Sequence, residues 1–309
     1  MKSARRLLRA LLLVQLAAAL LIGWAALAWL KAAPWQAALL GIGGVVLVRL
    51  LINMNNFMLA AHFASATPRA FRLGPRARLR LLAEEFRASM LVTSWFVPRA
   101  SATTRIYPGS AHPPVLLLHG YGCNSGYWAH LTRLLDAARI GHASVDLEPV
   151  AGDIDGYVPL VERAVRDLCA AAGEKQVAIV AHSMGGLVAR AWMRVHGTDR
   201  VARVITLGTP HHGTALARFG LGENAFQMRP GSPWLRALAA SEEAATRALV
   251  TSLYTHHDNI VSPQESSRLE GARNLEFGGI GHVALGSNPR VLAAVMQELA
   301  ALPSRTVGC

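Results

Sequence analysis

Residues 176–196 read QVAIVAHSMGGLVARAWMRVH. Gln176–Ala181 is a short apolar run of the kind that forms a buried strand, and Met184–His196 carries its apolar residues at helical spacing. Ser183 lies between them, flanked two residues away by Ala181 and Gly185. A sharp strand-to-helix turn needs small residues at those positions, because larger side chains would collide across it. Such a turn exposes the serine hydroxyl and points the N-terminus of the following helix at it. Ala181 stands where the G-x-S-x-G pattern has its first glycine, and it is still small. Taken alone, the serine also suits a helix N-cap. The strand before it and Gly185-Gly186 after it favour an exposed nucleophile.

The same alternation extends in both directions. Val115–His119, Ala143–Leu147, Val201–Leu207, Leu249–Thr255 and Asn274–Phe277 read as further strands, and Gly126–Ile140, Tyr157–Ala172 and Pro289–Leu302 as helices. That rhythm predicts an α/β domain, a mostly parallel sheet with helices on both faces. Residues 213–245 interrupt it with Phe219, Phe226, Met228, Trp234 and several glycines, which suits either a cover over a site or a plain helical crossover.

Four more constellations follow predicted strands. His119-Gly-Tyr-Gly122 is a glycine-rich turn able to aim a backbone N–H at a carbonyl oxygen, and it lacks the lysine and the spacing of a phosphate-binding loop. Tyr121 N–H and Met184 N–H are the expected oxyanion-hole pair. Asp258 in Tyr254-Thr-His-His-Asp-Asn-Ile-Val261 and His282 in Gly278-Gly-Ile-Gly-His-Val283 each follow a late strand, at the edge that carries the serine. A serine needs an imidazole to take its proton and a carboxylate to hold that imidazole. The setting of His282 after Gly281 raises it above His211, His212, His256 and His257. Asp199 is the competing acid, but it precedes its strand and falls at the opposite edge. Leu207-Gly-Thr-Pro-His-His-Gly-Thr214 reads as a turn supporting the pocket. Adjacent histidines rarely bind one ion together, and no carboxylate or Cys lies nearby in sequence, so no metal is expected.

These motifs, in this order, resemble a bacterial lipase or esterase of the α/β-hydrolase superfamily. The tail LYTHHDNIV…LEGARNLEFGGIGHVAL is most similar to the small bacillary lipases. The resemblance covers about residues 112–301. It implies the α/β-hydrolase fold, with Ser183 as nucleophile, His282 as base, Asp258 as acid, and Tyr121 and Met184 at the oxyanion. It also implies hydrolysis of lipid or small acyl esters without a cofactor. Acyl transfer and thioester hydrolysis use the same triad and stay open, as does a catalytically silent membrane-bound interaction module.

Residues 1–100 lie outside that resemblance. Residues 10–30, ALLLVQLAAALLIGWAALAWL, carry no charge and would span about 32 Å as a helix, one hydrocarbon core. A second apolar stretch, Trp35 to Ile52, contains Gln36, three glycines and Arg49, and it crosses only if Arg49 reaches the headgroups. The pattern predicts a transmembrane helical hairpin, with a signal peptide ending near Ala26-Leu27-Ala28 as the rival. Residues 76–97 read as an amphipathic helix with solvated arginines. The expected organisation is an anchoring segment over 1–55, a basic amphipathic linker over 56–105 and the catalytic domain over 106–303.

Composition agrees with this division. The chain is 309 residues long and 52% apolar, which excludes a disordered or collagen-like chain. Residues 1–80 hold eleven Lys or Arg, including Lys2, and no Asp or Glu, leaving +1 of the net +12 for the rest. The basicity therefore belongs to the membrane segment, and no nucleic-acid partner is expected. Cys123, Cys169 and Cys309 are too widely spaced for a disulfide scaffold or a Cys-based zinc module. Basic residues flank the hairpin while its turn carries only Lys31, so the positive-inside rule places both ends in the cytoplasm. The enzyme is then expected at a bacterial inner membrane with a cytoplasmic catalytic domain. A single span or a cleaved signal places it on the periplasmic or secreted side.

Overall fold

Seven strands come from residues 104–277: Thr104–Arg105 (β1), Val115–Leu118 (β2), His142–Val145 (β3), Val177–His182 (β4), Val201–Leu207 (β5), Val250–Thr255 (β6) and Arg273–Phe277 (β7). In this computed structural model, which describes residues 3–303, they form one sheet in the order β1-β3-β2-β4-β5-β6-β7. Lys2 and Cys309 lie outside the described residues. β2 to β7 are parallel, and only the two-residue β1 runs antiparallel, against β3. β1 is exposed and too short to show any periodicity, which is why the sequence did not predict it.

Every residue of β2, β4 and β6 is buried, since helices cover both faces of the sheet. Leu116 and Leu118 face a core that includes Val161, Val165, Leu187 and Trp192, from helices Val158–Ala172 and Met184–His196. Val115 and Leu117 face the other core, with Leu131, Leu135, Val291 and Val295 from helices Ala129–Ala137 and Pro289–Ala300. The period-2 alternation of a strand thus divides one apolar run between two cores. Residues 213–245 are neither a single crossover helix nor a loop. They form a 3-10 turn, Ala215–Phe219, and the short helices Glu223–Gln227 and Pro233–Ala240. Gly220, Gly222, Pro230 and Gly231 punctuate them, and Pro233 opens the last of them.

The N-terminal third begins with two long helices, Ala4–Trp29 (α1) and Pro34–His62 (α2), about 39 and 43 Å long at 1.5 Å per residue. They pack antiparallel through small residues, with Gly41 set against the Ala19 carbonyl. Only 6% and 17% of their most apolar windows are buried. That exposure separates them from the core helices of a soluble protein. α2 continues ten residues past Ile52, where the apolar stretch stops, because its last turns rest on the sheet domain. There Ser262 Oγ donates to Ala60 O (2.7 Å), and just beyond the helix Ser65 N–H donates to Gln264 Oε1 (3.0 Å). α1 starts on the same domain: Ala4 is buried with Val97 and Val150, and Arg9 Nε donates to Pro98 O (2.8 Å).

Arg49 is bound by polar groups of α1 and of a segment beyond α2. It donates to Gln15 Oε1 (3.3 Å), Ser94 Oγ (2.6 Å) and Thr93 Oγ1. Three neutral acceptors on neighbouring segments thus take hydrogen bonds from the guanidinium. Thr93 and Ser94 follow helix Pro75–Leu91 (α3), within the stretch that the sequence read as an amphipathic helix with solvated arginines. One face of α3 is inside the protein, with Leu81, Glu85 and Ala88 buried.

Candidate active site

Parallel strands place their carboxyl ends at one edge of the sheet, and the turns after β2, β4, β5, β6 and β7 meet there. Ser183 follows β4 directly, with φ 54° and ψ −125°. A non-glycine residue in that region costs about 1–3 kcal/mol, a strain the surrounding structure must hold. Ser183 N–H donates to Leu207 O at the end of β5 (2.9 Å). The next residue, Met184, opens the helix, so its own N–H has no acceptor within that helix. Gly120, in the turn after β2, lies against the elbow: a methyl group there would come 2.9 Å from Ser183 Cβ. Tyr121 N–H meets no backbone acceptor among the described residues, while its hydroxyl donates to Leu221 O (2.8 Å) and accepts from Leu221 N–H (3.0 Å). The turn after β2 is therefore tied to the segment at 215–227.

Asp258 and His282 are brought together from the turns after β6 and β7. His282 Nδ1–H donates to Asp258 Oδ2 at 2.8 Å, and both side chains are buried. Asp258 Oδ1 accepts from Ile260 N–H (2.8 Å) and Val261 N–H (2.7 Å), which fixes the carboxylate plane. Burial opposes the imidazolium of His282, but the charge and hydrogen bond of Asp258 outweigh it, so its pKa is raised above the ordinary histidine value. The backbone of His282 is held as well: its N–H donates to Asn259 Oδ1 (3.0 Å), and its O accepts from His182 Nε2–H (3.2 Å). His182 stacks on Tyr127, ring centroids 4.0 Å apart, and burial pushes its pKa well down, so it supports His282 as a neutral ring.

Gly208, at the end of β5, closes the arrangement. Its φ is +55°, and a methyl group there would stand 2.7 Å from Leu285 Cδ1, 3.1 Å from Asp258 Oδ2 and 3.3 Å from His282 Nδ1. Gly208→Ala should therefore push the acid–base pair out of line and lower kcat roughly 10- to 100-fold. A kcat within twofold of wild type, measured on a p-nitrophenyl ester, would show that the pair tolerates displacement.

The other histidines are occupied elsewhere. His119 Nε2 accepts from Leu147 N–H (2.8 Å), which leaves Nδ1–H to donate to Gly120 O (2.8 Å) and shape the turn. His211 is buried between Thr206 and Ser252, and burial together with Arg190 drives its pKa well down. His256 bonds Glu276 Oε2 (3.0 Å), and His257 Nδ1 accepts from Gly279 N–H (3.1 Å). Arg190 binds Glu242 through both oxygens (2.6 and 2.7 Å) and donates to His211 O (3.1 Å), which locks the 208–214 turn to the helix after Ser183. Asp199 is exposed at the opposite edge of the sheet, in the turn before β5. No cluster of three or more His, Cys, Asp or Glu suited to a metal ion occurs among the described residues.

Three buried participants were not singled out from sequence: His182, Asn259 and Glu85. The first two adjoin recognised residues, Ser183 and Asp258. Glu85 had a fainter signal, since Glu84 and Glu85 are the first carboxylates in the chain, after eleven basic residues.

The strand order and the parallel sheet give residues 104–302 the α/β-hydrolase fold. Residues 113–229 match the family model described as alpha/beta hydrolase fold. Over 120 residues the chain is 30% identical to a triacylglycerol lipase of Pseudarthrobacter phenanthrenivorans, covering 34% of this chain and 35% of that one. It is also 30% identical over 120 residues to a triacylglycerol lipase of Burkholderia plantarii, covering 34% and 32% of the two chains. The chain thus spans about a third of the length of the curated relatives it matches. Among solved structures, a mature Bacillus licheniformis lipase superposes with a TM-score of 0.57 at 21% identity, over 64% of this chain and 97% of that one. At that identity the likeness establishes the fold.

Proposed function

We propose that the chain is a membrane-anchored serine hydrolase that cleaves carboxylic esters of lipids through an acyl-enzyme. The observation that carries this reading is the buried Asp258–His282 pair, converging with the strained Ser183 elbow at one sheet edge. Ser183 Oγ attacks the ester carbonyl carbon while its proton passes to His282 Nε2. The carbonyl π pair moves onto oxygen, where the N–H groups of Tyr121 and Met184 stabilise it. Collapse expels the alkoxide, which takes the proton from His282 and leaves the acyl-serine. Water repeats the sequence and releases the acid. The triacylglycerol lipases named above support an ester as the substrate class.

The hairpin supports a substrate drawn from a bilayer. The free end of α1 rests on Val97 and Val150, and that of α2 on Ser262 and Gln264. Val150 follows β3, and Ser262 and Gln264 follow β6, at the edge that carries Ser183. Beside the oxyanion turn, Phe219, Leu221 and Phe226 are all at least half exposed. A cavity of about 960 Å3, lined by Met54, Phe57, Met58, Leu73 and Leu81, opens between α2 and α3 and reaches His257. Apolar surface on that scale suits acyl chains better than water.

Fluorophosphonate labelling mapped to Ser183, followed by turnover of p-nitrophenyl esters of increasing chain length, tests the reading. Absence of both labelling and turnover in the folded protein removes it. Competition between water and an added acyl acceptor separates hydrolysis from transfer.

Topology is tested separately. Both free ends of the hairpin lie on the catalytic domain, and the basic flanks resist translocation, so residues 63–303 are assigned to the cytoplasmic face. Alkaline phosphatase fusions at residue 32, residue 75 and the C-terminus should be active at residue 32 alone. Activity at all three sites would mean a single span or a cleaved signal, with the hydrolase outside.

A further inference from the structure

We propose that Glu85, on the α3 helix that follows the membrane hairpin, is a positioning residue for His282. It holds the turn that carries the base and supplies a second anion behind the imidazole. This rests on the Ser183–His282–Asp258 reading. The Glu85 side chain is completely buried, and each of its oxygens accepts one backbone N–H from the two residues after His282. Val283 N–H donates to Oε1 (3.0 Å) and Ala284 N–H to Oε2 (2.9 Å). These N–H groups open the short 3-10 turn Val283–Gly286, where no intrahelical acceptor exists for them. Gly281 leaves the space: even a methyl group at that position would overlap the Glu85 carboxylate.

His282 is consequently fixed at both backbone ends and at the ring. Asn259 binds its N–H, His182 its O and Asp258 its Nδ1–H, while Glu85 holds the two peptides that follow. No cation forms an ion pair with Glu85 among the described residues. The titratable groups facing it are His282, Asp258 and Tyr127, from three different elements. Burial holds the Glu85 carboxyl above the ordinary carboxylate range, with a smaller push from Asp258, while the two N–H donors and His282 oppose the rise. Each oxygen accepts a backbone N–H, and those two bonds favour the ionised carboxyl. A carboxylate there favours the imidazolium that forms when Ser183 gives up its proton. The neighbouring Glu84 pins the same region from outside, accepting from Asn288 Nδ2 (2.6 Å). Since α3 runs on into Thr93 and Ser94, the partners of Arg49, the segment that anchors the protein also sets its catalytic base.

The test uses the full-length protein in detergent micelles. Glu85→Ala, Glu85→Gln and Glu85→Asp are compared for kcat, KM and the pH dependence of kcat/KM on p-nitrophenyl butyrate, with labelling stoichiometry reporting the folded fraction. Glu85→Ala should lower kcat about 100-fold with KM changed less than about twofold, because a loosened base affects the transition state alone. Glu85→Gln retains one acceptor and loses the charge, so kcat should fall about 10-fold and the acid limb of kcat/KM should move to lower pH. Glu85→Asp keeps the charge on a shorter arm and should restore the acid limb while kcat stays reduced. An unmoved acid limb in Glu85→Gln, or losses of kcat that merely follow the folded fraction, would overturn the proposal. If Glu85→Ala does not fold, the Gln and Asp variants decide it. The triad reading fails separately, by turnover in Ser183→Ala, whatever the Glu85 variants do.

Discussion

Ser183→Ala is expected to lower ester hydrolysis by roughly 1,000-fold or more, with the fold intact. The loss corresponds to at least about 4 kcal/mol of transition-state stabilisation, at 1.36 kcal/mol per factor of ten. It should be this large because covalent catalysis disappears, whereas the oxyanion donors and the binding surface remain. The fold should survive because the backbone, not the hydroxyl, makes the bond that shapes the elbow among the described residues. What holds the turn is the backbone bond from Ser183 N–H to Leu207 O, which an alanine keeps. Thermal unfolding should therefore match wild type while fluorophosphonate labelling vanishes. Near-wild-type turnover in the purified variant would remove Ser183 from the mechanism.

His282→Ala should be about as damaging as Ser183→Ala, and the double variant should lose little more, because the groups act on one proton transfer. A multiplicative loss in the double variant would mean that His282 acts independently of the serine. Asp258→Asn should cost less than His282→Ala. The asparagine amide can donate to His282 Nδ1, so part of the population takes the wrong tautomer, but the ring stays in place. Asp199→Asn should change neither kcat nor KM, since Asp199 is exposed at the far edge of the sheet. A larger effect at Asp199 than at Asp258 would reverse the assignment of the acid.

How far the sequence could be read depended on whether the signal was local. The boundaries of Met184–His196 and Val201–Leu207 were predicted to the residue, because each begins and ends at a change of period that neighbouring residues create. That Asp258 and His282 meet was legible because a parallel sheet gathers every strand's carboxyl end at one edge. Topology converts position after a strand into proximity. Residues whose roles come from packing gave no such sign. α2 extends to His62 because Ser262 and Gln264 receive its end, and α3 buries Glu85 because the turn after His282 leaves two N–H groups unsatisfied. Arg49 likewise found Thr93 and Ser94, more than forty residues downstream. The sequence by itself determined the sheet domain, the elbow and the apolar hairpin, since these rest on periodicity and on small residues at tight turns. Only the tertiary structure decided that the N-terminal segment packs on the Ser183 edge of the sheet and reaches the turn after His282. A buried hydrogen bond joins groups that are distant in the chain, and their pairing is set by which surfaces meet.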